Sequence, residues 1–123
     1  MRRNCIGISI VALLLAGCAV KPESIRPAYI SEMSYQSWTC DQLGQEQLRL
    51  AAALSTACDA QRQCRSNDTV GVIFLGFPVS SLSGNNQAAE ISRLKGELQA
   101  LQRAATLKNC DLADIPDPVK RKK

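Results

Sequence analysis

The sequence predicts an all-α fold: a disulfide-stapled antiparallel helical hairpin that follows an N-terminal signal peptide and an extended tether. Two segments carry apolar residues at helical spacing, and a stretch without such spacing precedes them. Cysteines stand at the outer ends of the two segments, where an antiparallel arrangement would bring them together. The chain therefore has the material for one small helical domain.

The first predicted helix begins at Thr39. Thr39 and Gln42 have the spacing of a capping box, and Asp41 places negative charge at the positive end of the helix dipole. The chain then continues to about Arg65 in residues that favour helix. The apolar face consists of Leu43, Leu50, Leu54 and Ala57, with Leu48 off it.

The second predicted helix has a narrow apolar seam at spacings of three and four residues. Its members are Ile91, Leu94, Leu98, Leu101 and Ala105. Asn85 or Asn86 is predicted to cap its start, and Lys108 stands in its last turn, where a cation is favourable. With about 25 residues each, the two helices would have matched lengths of nearly 37 Å.

The positions of the cysteines bear on whether the two helices form an antiparallel hairpin. Cys40 and Cys110 stand at helix ends that become neighbours in an antiparallel pair, and a disulfide there could contribute about 4 kcal/mol. Cys58 and Cys64 would lie about 9 Å apart along an unbroken helix, beyond the disulfide limit of about 7 Å between Cα atoms. Either the helix breaks and they form a second disulfide, which we favour slightly, or each is free or pairs with another chain.

An apolar segment, residues 70–84, connects the two predicted helices. It is too short to span a bilayer, which requires about 20 apolar residues in a helix. One interpretation is that it folds back over the hairpin seam and extends one helix to Phe77. The other is that it forms a tip that contacts a membrane or a protein partner. The candidate contact residues are Val72, Ile73, Phe74, Leu75 and Phe77.

Enzymatic activity is not expected. The chain has no histidine, so the usual general base is missing, and Ser92-x-x-Lys95 is interpreted as part of a surface helix. We expect neither a cofactor nor a metal, because there is no Cys-x-x-Cys pair. Without Arg2 and Arg3, thirteen basic residues face eleven acidic ones, a balance too mild to indicate nucleic acid.

The N-terminus has the layout of a signal peptide. Two arginines precede an uncharged apolar run, residues 6–16, that is too short to span a bilayer. The run ends in Leu15-Ala16-Gly17-Cys18, which resembles the lipobox of bacterial lipoproteins. The resemblance implies cleavage before Cys18, a thioether link from that residue to diacylglycerol, and usually N-acylation.

These features divide the chain into four parts. They are a signal peptide (1–17), a lipidated cysteine with a flexible tether (18–38), a helical hairpin (39–110) and a basic C-terminal tail (111–123). The tether could stretch to about 66–72 Å. The basic residues 120–123 are interpreted as a solvated terminus; the alternative is a patch that touches anionic lipid or cell wall.

The mature part resembles a family of small proteobacterial lipoproteins without an assigned biochemical role. The resemblance lies in Tyr35-x-x-Trp38-Thr39-Cys40, the Arg-Leu-Lys-Gly-Glu core at residues 93–97 and the Lys-x-Cys ending at residues 108–110. The extra Cys58 and Cys64 are not part of that pattern. Ala19 is not the Asp that typically retains lipoproteins in the inner membrane, so the resemblance favours the outer membrane, facing the periplasm.

The expected function is that of a membrane-anchored envelope lipoprotein, a non-enzymatic structural or adaptor subunit. Its partners would be membrane lipid, through Cys18, and an envelope protein; the oligomeric state is not predicted. The alternative is a membrane-active lipoprotein whose apolar segment 70–82 inserts into or perturbs lipid.

Overall fold

A computed structural model describes residues 20–75 and 87–120, and the regular structure in these residues is helical. Helix α1 spans Cys40–Leu75 and helix α2 spans Ala88–Leu107, with two short 3₁₀ turns, Pro22–Ser24 and Glu32–Tyr35, before them. The all-α class and the helical hairpin are confirmed.

The two helices are antiparallel. A disulfide joins Cys40, the first residue of α1, to Cys110, just after α2, with their Cα atoms 5.4 Å apart. At the other end of α2, the backbone N–H of Gln87 donates to Oε1 of Gln61 at 2.8 Å. Both ends of α2 are thereby tied to α1, and the predicted Cys40–Cys110 disulfide is confirmed.

The start of α1 has the predicted cap. The Gln42 N–H donates to the Thr39 hydroxyl at 3.2 Å, and the Thr39 N–H donates to the Gln42 side-chain carbonyl at 2.8 Å. The predicted apolar face is buried, and Leu48, expected off that face, is 56% exposed. The buried face consists of Leu43, Leu50, Leu54 and Ala57.

Helix α1 is longer than predicted. It has 36 residues and α2 has 20, or roughly 54 and 30 Å, so the expectation of matched lengths was wrong. The run Ser66-Asn67-Asp68 does not end α1, because such residues cost only about 0.5 kcal/mol each in a helix. The first part of the apolar segment, residues 70–75, therefore belongs to α1. Residues 76–86 lie outside the described residues.

The predicted seam of α2 is buried along its whole length. Its N-cap is Gln87, without a side-chain cap, and not Asn85 or Asn86, which lie outside the described residues. At the other end Asn109 has a positive φ of 54°. The N–H of Asn109 donates to Thr106 O at 3.1 Å and that of Cys110 to Ala105 O at 2.9 Å. These bonds form a Schellman motif, which turns the chain towards the disulfide.

Residues 20–38 do not form the flexible tether that we expected. Ile25 and Tyr35 are buried in the core, and Trp38 is partly buried against it. The Tyr35 and Trp38 rings pack edge to face with centroids 5.3 Å apart. The Ala28 N–H donates to Ser92 O on α2 at 2.8 Å. The segment is irregular, as predicted, but packing and hydrogen bonds hold it on the hairpin.

The predicted second disulfide, between Cys58 and Cys64, was wrong. The Cys58 thiol is free and buried. Because α1 is unbroken between these residues, its rise separates them by about 9 Å. Cys64 is itself disulfide-bonded, so it is not available to pair with Cys58.

The C-terminal segment, residues 111–120, folds back along the hairpin. Leu112 and Val119 are partly buried against the core. The N–H of Val119 donates to the Asp117 carboxylate at 2.9 Å. Of the basic residues 120–123, which were interpreted as a solvated terminus, Lys120 is exposed, and residues 121–123 lie outside the described residues.

Candidate functional site

Gln61, midway along α1, links the N-terminal segment to both helices. It is fully buried in the apolar stripe of α1. Its side-chain Nε2 donates to Val20 O at 3.2 Å, while its Oε1 accepts from the Gln87 N–H at 2.8 Å. Both ends of the amide are thus bonded, as a buried polar group requires.

Arg62, the next residue, links the N-terminal and C-terminal segments. Its Nη2 lies 2.8 Å from Glu23 Oε1 and also donates to the carbonyl of Val119. Its Nη1 lies 3.0 Å from Asp59 Oδ1 within α1. The Arg62 side chain is only 15% exposed. We name this meeting point, made by Gln61, Arg62, Val20, Glu23 and Val119, the terminal junction.

The electrostatics of the terminal junction follow from the Arg62–Glu23 pair. The hydrogen bond from Arg62 lowers the pKa of Glu23 below its ordinary value of 4.5. The same bond raises the pKa of Arg62. Both partners are therefore held in their charged forms, which ties the N-terminal segment to α1 at neutral pH.

Sequence reasoning did not identify the terminal junction. A signal existed for Gln61, because it continues the spacing of Leu54 and Ala57 as a polar member of an apolar stripe. For Arg62 no signal existed, since its partners Glu23 and Val119 lie 39 and 57 residues away in the sequence.

The side chains of Ser92 and Lys95 hold the N-terminal segment on α2. Lys95 Nζ donates to the carbonyls of Pro22 and Ile25, both at 2.7 Å. The Ser92 hydroxyl donates to Arg26 O at 2.8 Å. The formal Ser-x-x-Lys pair thus binds backbone carbonyls, so neither side chain is placed to activate the other as a nucleophile.

Cys58 is the free thiol of the described residues. Burial raises the pKa of the Cys58 thiol, which disfavours the reactive thiolate. Within residues 20–75 and 87–120, no group of His, Cys, Asp and Glu side chains is arranged to hold a metal ion.

Two grooves flank the C-terminal segment. One, of about 710 Å³, lies between this segment, the N-terminal segment and α2, with Leu54 and Leu98 in its lining. The other, of about 720 Å³, lies against α1 beside Arg62. Lys120 lines both grooves, so it stands close to the terminal junction.

The predicted membrane or partner contact residues fall at the far end of α1. Val72, Ile73, Phe74 and Leu75 belong to its last turns, and Ile73 is 71% exposed. Ile73 stands about 18 Å beyond Gln61 along the helix axis. Among the described residues no helix is long and apolar enough to cross a membrane. Phe77 lies outside the described residues.

The predicted lipobox also lies outside the described residues, which begin two positions after Cys18. This applies to the predicted lipidation residue Cys18 and to the predicted cleavage residues Leu15, Ala16 and Gly17. No family model, no curated protein and no solved structure matches the chain.

Proposed function

We propose that the protein is a bacterial envelope lipoprotein, a non-enzymatic structural or adaptor subunit whose helical hairpin is held directly on the membrane by lipid at Cys18. The observation that carries the proposal is the position of Val20. This residue, two positions after Cys18, is hydrogen-bonded to Gln61 in the middle of α1. Because two residues span at most about 7 Å, a lipid on Cys18 would hold the hairpin against the bilayer.

Three further features support this function. The lipobox residues 15–18 supply the acceptor thiol and the small side chains before it. The Cys40–Cys110 disulfide suits the oxidising space outside the inner membrane. Ser92 and Lys95 are engaged in holding the N-terminal segment, which supports a scaffold more than an enzyme. Because Ala19 is not the Asp that typically retains lipoproteins in the inner membrane, we propose that the protein is attached to the outer membrane and faces the periplasm.

As an adaptor, the hairpin would project its disulfide end away from the lipid. Cys40 lies about 32 Å from Gln61 along α1. Near that end, Leu107 is 70% exposed beside a groove of about 430 Å³ that Glu32 and Arg103 also line. An envelope protein could therefore be contacted at a distance from the bilayer while the terminal junction stays at the membrane.

The test of this function is the lipidation of Cys18. Replacing Cys18 with Ser should abolish incorporation of labelled palmitate and leave the precursor uncleaved, as seen by intact mass and gel mobility. Cys5→Ser is the matched control, because Cys5 would leave with the signal peptide, and it should mature normally. Normal maturation of Cys18→Ser would refute the proposal.

A second candidate function is membrane activity, in which segment 70–82 inserts into or perturbs lipid. The exposure of Ile73 near the end of α1 favours it. If it holds, the reconstituted protein should release dye from vesicles, and Ile73→Ser should reduce the release. Leu107→Ser is the matched control, since Leu107 is 70% exposed at the opposite end of the hairpin. No release by the wild type would exclude this candidate and leave the adaptor proposal intact.

A further inference from the structure

We infer that a groove along α2 is the docking site of this adaptor, and that its protein partner enters the groove as an uncharged, extended peptide segment. The inference rests on the adaptor role in the proposed function and adds the chemistry of the partner. The α2 groove consists of the two grooves of about 710 and 430 Å³ that share Gln99 and Gln102 in their linings. The N-terminal segment lines both of them, and the C-terminal segment lines the larger one.

A row of polar side chains runs along α2 into the floor of this groove. Its members follow one another at spacings of three and four residues, which places them on one face of the helix. They are Ser92, Lys95, Gln99, Gln102 and Thr106. The first two members donate to three backbone carbonyls of the N-terminal segment, at 2.7–2.8 Å. The start of the row therefore already holds a polypeptide segment by its carbonyl oxygens.

The polar row continues beyond the segment that it holds. From Ala28 onward, the N-terminal segment follows the neighbouring face of α2, where it passes Gly96 and where Arg103 donates to Ile30 O at 2.7 Å. Gln99 and Gln102 are exposed, and their side-chain amides have no hydrogen-bond partner among the described residues. Each amide offers donors and an acceptor, as a peptide backbone requires of a binding site.

The spacing of the two glutamines fits an extended chain. Residues three apart on a helix face have Cβ atoms about 5–6 Å apart. Backbone groups on one edge of an extended chain recur every second residue, which is about 6.6 Å. The flexible amides of Gln99 and Gln102 can therefore pair with successive backbone groups of one bound segment. From Lys95 to Thr106 the groove is about 17 Å long, which accommodates about five extended residues.

The apolar lining defines two side chains of the partner. Leu98 lies in the larger groove together with Ile25 and Ile115, whereas Leu107, which is 70% exposed, lies in the smaller groove. Leu98 and Leu107 are about 13.5 Å apart along the axis of α2, the span of about four extended residues. We therefore expect a large apolar side chain near each end of the bound segment, about four positions apart.

The charges around the α2 groove favour an uncharged segment. Three acidic and four basic side chains line it, so neither sign dominates. Glu32 is paired with Arg103 at 3.2 Å, and Glu23 with Arg62 at 2.8 Å. A charge on the partner would therefore lose its hydration without gaining a free counter-charge of matching strength.

The test uses the purified protein in detergent and, as the probe, a random library of acetylated and amidated seven-residue peptides. We expect it to enrich peptides that carry no charge and have large apolar residues four positions apart. If no peptide is enriched, or if the enriched peptides are charged, the inference is overturned.

Matched variants locate the binding site of the enriched peptides, with affinities measured by fluorescence anisotropy. Gln99→Ala and Gln102→Ala should each weaken binding about fivefold, the effect of one hydrogen bond. Gln45→Ala, an exposed glutamine on α1, should leave binding unchanged. Leu107→Ser should weaken binding about tenfold, whereas Leu48→Ser, at a position 56% exposed on α1, should not. Binding that survives the two glutamine substitutions together would overturn the inference.

Two measurements separate this occupant from others. N-methylation of the peptide should weaken binding at alternate positions, because successive N–H groups of an extended chain point to opposite edges. Insensitivity at every position would overturn the recognition of backbone. Sedimentation of the peptide-free protein reports its oligomeric state. A dimer that Gln99→Ala and Gln102→Ala dissociate would assign the groove to a second copy of the chain and would also overturn the inference.

The same sample separates this inference from the proposed function. Its intact mass reports whether lipid is attached to Cys18. If that lipid is absent, the lipoprotein proposal fails, whatever the peptides do. If the lipid is present and no peptide is bound, the docking site is refuted and the lipoprotein proposal stands.

Discussion

Gly96 on α2 lies where the N-terminal segment comes closest to the helix. A Cβ atom added at Gly96 would stand 2.1 Å from the carbonyl oxygen of Ala28 and 3.0 Å from its carbonyl carbon. The obstacle is backbone and not the end of a flexible side chain. Gly96→Ala must therefore push the segment around Ala28 away from α2.

This displacement changes the free energy of unfolding through packing, hydrogen bonding and helix propensity. Overpacking of this kind costs about 1–3 kcal/mol. Moving Ala28 also weakens its 2.8 Å hydrogen bond to Ser92 O, a bond worth about 1 kcal/mol. Alanine stabilises α2 by about 1 kcal/mol relative to glycine, because its helix propensity is higher. Gly96→Ala should therefore lower the free energy of unfolding by about 1–3 kcal/mol.

Gly44 in α1 provides the matched control. Apart from its chain neighbours and the backbone of its own helix, no atom lies within 4 Å of a Cβ added at Gly44. Gly44→Ala should therefore raise the free energy of unfolding by up to about 1 kcal/mol, the helix propensity term alone. Urea unfolding followed by circular dichroism and by Trp38 fluorescence measures both variants. The reasoning is refuted if Gly96→Ala is as stable as the wild type, or if both substitutions change stability in the same direction.

Three further predictions concern stability. Replacing Cys40 and Cys110 together with Ser should cost about 4 kcal/mol, read from the urea midpoint; an unchanged midpoint would contradict the role of this staple. Asn109→Val should cost about 1–2 kcal/mol in the same assay, because Asn109 has a positive φ, whereas Asn109→Gly should be tolerated. The hydrogen bond from Arg62 lowers the pKa of Glu23. The stabilisation of the folded protein by this bond is therefore present above pH 4.5 and is lost as the pH falls through the lowered pKa of Glu23. Glu23→Gln should therefore weaken the dependence of the free energy of unfolding on pH in the acid range. An unchanged dependence would contradict this role of the Arg62–Glu23 bond.

The long extension of α1 shows where sequence reasoning was limited. The first helix was predicted to end at about Arg65, just before the run Ser66-Asn67-Asp68, and residues 70–84 were predicted to connect the two helices. Weak helix formers do not stop a helix when no proline or glycine accompanies them at that point. The error in helix length in turn made the second disulfide, between Cys58 and Cys64, seem possible.

The terminal junction and the N-terminal segment show a second limit of prediction from the sequence. Lys95 binds the carbonyls of Pro22 and Ile25, residues 73 and 70 positions away. Contacts of this kind join one side chain to backbone atoms of distant residues. They leave no spacing in the sequence that could be recognised, and the same segment was therefore interpreted as a flexible tether.

The sequence by itself determined the helical hairpin, the cap at Thr39 and the Cys40–Cys110 disulfide. These features depend on periodic apolar burial and on local hydrogen bonds, which the order of residues records directly. Only the tertiary structure decided that residues 20–38 pack on α2 and that the two terminal segments meet at Gln61 and Arg62. The physical reason is that isolated apolar contacts and single long-range hydrogen bonds, and not a repeated pattern, hold these segments in place.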